Sequence, residues 1–205
     1  IIANSKYISR RIKKFWNLPS TVIYPPVNNK RFYFENLPQE EYYVTFSRLV
    51  AYKRVDLAVS ACKKLGRKLV VIGSGVEMDN LKKMAGNSKD IIFTGRASDE
   101  DVRTYLNKCR ALIFCAEEDF GITPLEAQIC GRPVIGFKKG GTLETVIDGT
   151  TGVLFEKQAT DSVCDAILKF EEMEKNGIFD KNKIIEHASS FCEDKFLSEF
   201  KTAVE

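Results

Sequence analysis

Carboxylates gather at one turn of this sequence, the stretch EEDFGITPLEA from Glu117 to Ala127, directly behind the apolar run ALIFCA. Acids at such a place can hold a metal, move a proton or accept hydrogen bonds from hydroxyls. Phe120-Gly121 adds a turn that leaves backbone amides free for an anion or a sugar hydroxyl. A plainer account covers part of the stretch: Pro124 suits the first helical position, Thr123 its N-cap, and Glu126 the far partner of a capping box. Glu118 and Gly121 fall outside it. A second charged turn lies upstream in SRLVAYKRVD, where Arg48 and Lys53 follow another apolar run and precede a helix. A planar guanidinium and a point-charge ammonium there suit a phosphate, and two solvated surface cations are the plainer alternative.

Other patterns carry less. Gly73 and Gly75 in VVIGSGVEMDNL lack the third glycine of a dinucleotide fingerprint, because Met78 stands in its place, which leaves two equal readings: a tight turn that brings backbone amides near a ligand, or a plain strand-to-helix turn. Asp119-Phe120-Gly121 spells the kinase magnesium triplet without the loops and lysine that accompany it. Asp99-Glu100-Asp101 spells a metal-binding D-x-D, but Ser98 before it and Asp101 three residues on fit a helix N-cap with acids in the first turn. No metal is expected. His187, the one histidine, lies near the C-terminus and far from every turn described above, which assigns it to packing and leaves a histidine-based mechanism without a candidate.

These turns need elements to hold them. From Tyr42 onward apolar runs alternate with stretches of helical period: YYVTFS then RVDLAVSACKKLG, KLVVIG then VEMDNLKKMA, DIIFTG then SDEDVRTYLNKC, ALIFCA then TPLEAQICG, and onward through PVIGF, GVLFE and DSVCDAILKFEEME. The alternation predicts an α/β fold with a doubly wound, Rossmann-like parallel sheet, and the unbroken apolar runs predict helices on both of its faces. Ligands of such sheets sit at the carboxyl ends of the strands, where both charged turns fall. Residues 1–24 stand outside the rhythm as a strand and a basic amphipathic helix KYISRRIKKFW that lead up to Pro25-Pro26, the expected tail of another domain. Residues 25–175 form the doubly wound unit, and 176–205 close the chain with an apolar helical stripe from Ile184 to Val204.

Composition sets bounds. The 205 residues are 44% hydrophobic and 29% charged, with 31 basic against 28 acidic side chains, which points to neither a nucleic-acid binder nor an acidic tail. Six cysteines without a C-x-x-C pair read as small buried side chains of a reducing, cytoplasmic compartment. The stripe Ile8, Ile12, Phe15 and Trp16, ringed by Arg10, Arg11, Lys13 and Lys14, fits either packing against a neighbouring domain or contact with a membrane surface.

Taken in order, the motifs carry a resemblance. S-R-L-x-x-x-K at Ser47 to Lys53, G-S-G at Gly73 to Gly75, I-x-F-T-G-R at Ile91 to Arg96 and E-x7-E from Glu118 to Glu126 are followed by C-G-R-P-V-I and K-G-G-T-x-E-x-x-x-D-G-x-T-G. The chain resembles the C-terminal, donor-binding half of retaining glycosyltransferases of family 4, the GT-B class, and is most similar to mannosyltransferases. The resemblance implies a nucleoside diphosphate sugar as donor, GDP-mannose ahead of a UDP-sugar, with no cofactor and no metal, and a glycan or lipid-linked acceptor held by a separate N-terminal domain. It implies that Arg48 and Lys53 hold the diphosphate, that Glu118 lies beside the transferred sugar as the catalytic position, and that Glu126 accepts from the ribose. The backbone of Phe120, Gly121, Ile122 and Thr123 would meet sugar hydroxyls and phosphate, and Gly73, Gly75, Thr94, Gly95 and Arg96 would wall the phosphate and base. Gly140-Gly141 belongs to the pattern without an assigned contact, and Glu117 and Asp119 have no role. A nucleotide-sugar epimerase or a non-catalytic binding module on the same fold is the alternative.

Overall fold

The computed structural model describes all 205 residues. Six strands form one parallel sheet: β3 (Tyr43–Phe46), β4 (Leu69–Ile72), β5 (Ile91–Gly95), β6 (Leu112–Phe114), β7 (Val134–Phe137) and β8 (Gly152–Phe155), in the order β5-β4-β3-β6-β7-β8. Between them run α2 (Val55–Leu65), α3 (Met78–Ala85), α4 (Asp99–Lys108), α5 (Ile122–Ile129) and the single turn α6 (Thr142–Thr145), with α7 (Thr160–Lys175) after β8. The doubly wound expectation holds.

The unbroken apolar strands have a direct cause. Successive side chains point to opposite faces, and here both faces are buried. Tyr43, Leu69, Val71 and Ile113 belong to one core with Leu57, Val59, Ile167 and Phe170 from α2 and α7. Val44, Val70, Ile72, Leu112 and Phe114 belong to a second core with Leu106 and Leu125 from α4 and α5.

Strand order reverses between β3 and β6: β4 and β5 lie to one side, β7 and β8 to the other. Neighbouring strands of a parallel sheet send their loops apart at such a point, opening a crevice at the carboxyl edge. The loops that leave β3 and β6 are the two charged turns of the sequence.

The segment 1–24 docks on this unit through β1 (Ile2–Ala3), α1 (Lys6–Trp16) and β2 (Thr21–Val22), with β1 and β2 in a separate parallel pair. Helix α1 has Ser5 as N-cap, accepting from the Ile8 amide at 3.1 Å, and its next two free amides, Lys6 and Tyr7, donate to the Glu144 carboxylate at 2.9 Å each. The C-terminal stripe divides in two. It forms α8 (Lys181–Ser189), which buries Ile184 and Ala188, and α9 (Glu193–Val204), which buries nothing. The break at 190–192 turns Phe191 inward onto Tyr24 and Phe120, with ring centroids 5.4 and 5.9 Å away, and that packing ends the first helix where a periodic stripe alone would continue it. Five of the six cysteines are buried and Cys192 is half-buried.

Candidate functional site

The turn after β3 runs into a short 3-10 turn, Ala51–Lys53, and then α2. It is pinned by the turn after β4: Ser47 N donates to Ile72 O at 3.1 Å, Leu49 N to Ser74 O at 3.0 Å and Glu77 N to Leu49 O at 3.1 Å. The glycines make this possible. A Cβ on Gly73 would lie 1.9 Å from Ser47 O and one on Gly75 2.1 Å from Leu49 O, so only bare backbone fits against backbone. Gly73 and Gly75 therefore shape the turn that presents Arg48 and Lys53. Gly73 N also donates to Gly95 O at 2.8 Å, which sets Thr94, Gly95 and the exposed Arg96 along the same edge of the sheet.

The turn after β6 is held in the same way from the other side. Gly141 N donates to Glu118 O at 2.8 Å, and Cβ atoms on Gly140 and Gly141 would lie 2.3 Å from Glu118 O and 2.1 Å from Phe120 O. The glycine doublet that had no contact in the sequence thus grips the Glu118 to Phe120 backbone. The ring of Phe120 is buried in a stack with Tyr24, centroids 5.6 Å apart, so only its backbone is left to face a ligand.

The capping-box reading of Thr123, Pro124 and Glu126 is corrected. Helix α5 starts two residues earlier than that reading requires, with Gly121 as N-cap at φ 78 and no side chain capping the first turn. Glycine alone adopts that backbone without strain, and the resulting start leaves the Ile122 and Thr123 amides without a side-chain partner at the mouth of the crevice. Pro124 falls third and has no amide to leave open. For Ser98 the capping reading holds: its Oγ accepts from Asp101 N at 3.1 Å and Asp101 Oδ2 accepts from Ser98 N at 3.3 Å.

Glu117, Glu118 and Asp119 each have their own cation. Glu118 pairs with Lys53 across the crevice, with the side chains 21% and 18% exposed. Glu117 accepts from Tyr7 Oη at 2.7 Å and meets Lys139 at 3.1 Å, and together these hold its carboxyl below the usual range, the tyrosine bond first. Asp119 meets Arg11 at 3.0 Å. Glu117 and Asp119, without a role in the sequence, therefore fasten α1 to the site, joined by Glu144, which also accepts from Tyr24 Oη at 2.9 Å. The signal for Glu144 was the T-x-E after the glycine doublet.

Two groups are left without partners. Arg48 is exposed and no acid of the chain pairs with it. Glu126 is 8% exposed, and burial pushes its carboxyl up to about 7, opposed by Arg31 and reinforced by Asp99. His187 lies apart, half-buried, its Nε2 3.2 Å from Thr145 O and its ring edge-on to Phe191; burial lowers its pKa, as suits a neutral packing residue.

A doubly wound sheet with cations, free helix amides and a carboxylate at its switch point has the architecture of the open α/β proteins that take their ligands in that crevice. The family model of the glycosyl transferases group 1 matches residues 28–189, and the chain belongs to that family. An uncharacterized glycosyltransferase of Methanocaldococcus jannaschii is 30% identical over 181 residues, covering 85% of this chain and 51% of that protein. A GDP-mannose-dependent alpha-(1-6)-phosphatidylinositol monomannoside mannosyltransferase of Mycolicibacterium smegmatis is 31% identical over 140 residues, 60% of this chain and 37% of that protein. An N-acetyl-alpha-D-glucosaminyl L-malate synthase of Bacillus anthracis is 30% identical over 175 residues, 80% of this chain and 45% of that protein. The chain thus spans about half the length of the curated relatives it matches, or less. The crystal structure of Anabaena HepE in complex with UDP and glucose superposes with a TM-score of 0.85 at 19% identity, covering 100% of this chain and 62% of that one. The fold is accordingly the Rossmann-like unit of the GT-B class.

Proposed function

We propose that this chain is the donor-binding half of a retaining glycosyltransferase of family 4, transferring a hexose from a nucleoside diphosphate sugar to a glycan or lipid-linked acceptor. The observation that carries the reading is the Lys53–Glu118 pair spanning the switch point, flanked by unpaired Arg48 and the uncapped start of α5. Breaking a glycosyl phosphate bond leaves extra negative charge on the diphosphate. Fixed cations and helix amides therefore stabilise the transition state more than the ground state. Arg48 supplies a free fork for that charge. Lys53 in this structure neutralises Glu118, and an arriving diphosphate competes for its ammonium, freeing the Glu118 carboxylate to accept from hydroxyls of the transferred sugar. Glu126, buried without a donor from the chain, takes hydrogen bonds from the ribose.

Mannose from GDP-mannose is the favoured donor, with a UDP-sugar as the competitor; the mannosyltransferase relative and the UDP-bound fold neighbour support one each. A thermal-shift panel of GDP-, UDP- and ADP-sugars tests the reading, since a ligand that binds only the native state raises its melting temperature. GDP-mannose is expected to give the largest shift. No shift with any nucleotide sugar, with UDP and GDP also silent, would sink the donor site itself.

The acceptor is expected to reach Glu118 past α1. The working place proposed for the enzyme is the cytoplasmic face of a membrane, and α1 supports this: Phe15 and Trp16 are 68% and 65% exposed among Arg10, Lys13 and Lys14. No helix is long and apolar enough to cross a membrane. Flotation with anionic vesicles tests the contact, and a chain left at the bottom of the gradient would refute it.

A further inference from the structure

At the opposite edge of the sheet, where the strands begin, a pocket of about 310 Å³ opens between the residues that precede β3 and the start of α8. Among its lining residues are Arg110, Arg132, Glu174 and Lys181. Arg110 and Arg67 face Glu171 and Glu174, with the exposed Glu41 3.5 Å from Arg110 as a third acid, so both cations are matched within the chain. Arg132 and Lys181 are left over.

Arg132 is only 8% exposed, yet its partners are neutral: Gln39 Oε1 accepts from Nη1 at 3.0 Å and the Asn107 carbonyl accepts from Nη2. Its Nε is buried with no partner at all. The Asn107 carbonyl belongs to the last turn of α4 and offsets part of the charge through the helix dipole. A guanidinium removed from water ordinarily takes a carboxylate or phosphate as well. Lys181 lies with Nζ 4.2 Å from the centroid of the Phe34 ring and pairs with no acid, because its neighbour Asp180 is engaged by the Asn182 and Lys183 amides. Gly131 lets it approach: at φ 74, a Cβ there would lie 2.8 Å from Lys181 Cγ and 3.2 Å from Phe34 Cδ2.

We propose that this pocket binds a phosphate-type oxyanion, held between Arg132 and Lys181. A planar fork and a mobile ammonium are the pair of donors that such an anion takes. The site is separate from the switch point and does not depend on the donor reading.

Inorganic phosphate is the probe, titrated against the isotopically labelled chain carrying Arg48→Ala and Lys53→Ala, so that the carboxyl-edge cations cannot report. Amide shifts are expected at Gly131, Arg132 and Lys181 beyond those that sodium chloride causes at matched ionic strength. Lys181→Ala, a surface change that spares the fold, should weaken phosphate about tenfold. Arg132→Met should abolish the rise in melting temperature that phosphate gives. If Arg132→Met does not fold, Lys181→Ala decides alone. Shifts no larger than those with chloride, or phosphate affinity untouched by Lys181→Ala, would overturn the proposal and leave Arg132 as a cap of α4.

Discussion

Where the strands begin, Arg67 and Arg110 meet Glu171 and Glu174 in a matched quartet, with Glu41 at its rim 3.5 Å from Arg110: Arg67 reaches Glu171 at 2.7 and 2.9 Å, Arg110 meets Glu171 at 3.3 Å and also Glu174, and Tyr43 Oη donates to Glu171 at 2.9 Å. Where the strands end, Arg48 has no acid, Glu126 has no donor, and Lys53 has a single partner that a competitor can take. Both ends carry similar side chains. The difference lies in whether the chain itself completes them. Charges that the fold has already matched hold the fold together, and charges left unmatched at a switch point mark where something else is meant to complete them.

The contrast breaks first at the closed end. Arg110→Met removes the main cation of Glu174 and one of the two of Glu171, along with the stacking of its guanidinium 5.4 Å from the Tyr43 ring centroid. We expect a loss of about 2–4 kcal/mol in denaturant unfolding, with nucleotide-sugar affinity unchanged in whatever remains folded. A loss of donor affinity without a loss of stability would reverse the assignment of the two ends.

The buried carboxylate comes next. Glu126 has a folded pKa near 7, above its ordinary value of 4.5. Between those values the native state holds a proton that the unfolded chain has released, so this group lowers stability as pH rises from about 4.5 through 7. Glu126→Gln should therefore be more stable than the parent at pH 8, on the order of 3 kcal/mol, and equal to it below pH 4.5. Urea unfolding across that range reads the difference directly. Donor binding should reverse the preference, because ribose hydroxyls donating to the carboxylate favour its charged form. Calorimetry in buffers of different ionisation heat should then show a proton released on binding near pH 6.

The two ends were not equally legible in the sequence. The alternation of apolar runs and helical stretches sufficed for the sheet, because burial on both faces leaves its mark on every strand. Arg48, Lys53 and Glu118 could be placed at strand ends for the same reason. That Lys53 and Glu118 touch could not be read, since it depends on strand order, and the order reverses between β3 and β6 without any local signal. The start of α5 was misplaced because Thr123-Pro124 is a stronger local capping signal than Gly121, and the positive φ that decides the matter is imposed by the turn. Gly140-Gly141 stood out as a doublet, but its partner, the Glu118 to Phe120 backbone, lies on another strand's loop. The quartet was invisible for the same reason: its four members are brought together only when β3, β4 and β6 align their starts beside α7.

At the open end the effect moves from stability to binding. Arg48→Ala deletes an exposed side chain that pairs with nothing in the chain, so melting should stay where it was. Donor affinity, however, should fall by about one to two decades, the worth of a charge-assisted contact of about 1.5–3 kcal/mol. Calorimetry with the best nucleotide sugar of the panel measures it, and an unchanged affinity would remove Arg48 from the diphosphate site.

The smallest effect sharpens the comparison from outside it. Arg11 and Asp119 form an ion pair beside the crevice at 3.0 Å, but their side chains are 51% and 56% exposed. Solvent screens such a pair, and holding two long side chains in one geometry costs entropy, so Arg11→Ala should shift stability by less than about 1 kcal/mol. Its position still matters if α1 steadies the turn that carries Glu118, since Tyr7 Oη and the Glu144 carboxylate hold the same helix. Combining Arg11→Ala with Tyr7→Phe separates the cases. If the two changes simply add in unfolding and leave donor affinity alone, the fastening of α1 is incidental to the site. A joint loss of affinity larger than the sum would show that Glu117 and Asp119 act on Glu118 by holding its neighbours, a coupling that contacts sharing one loop are expected to show.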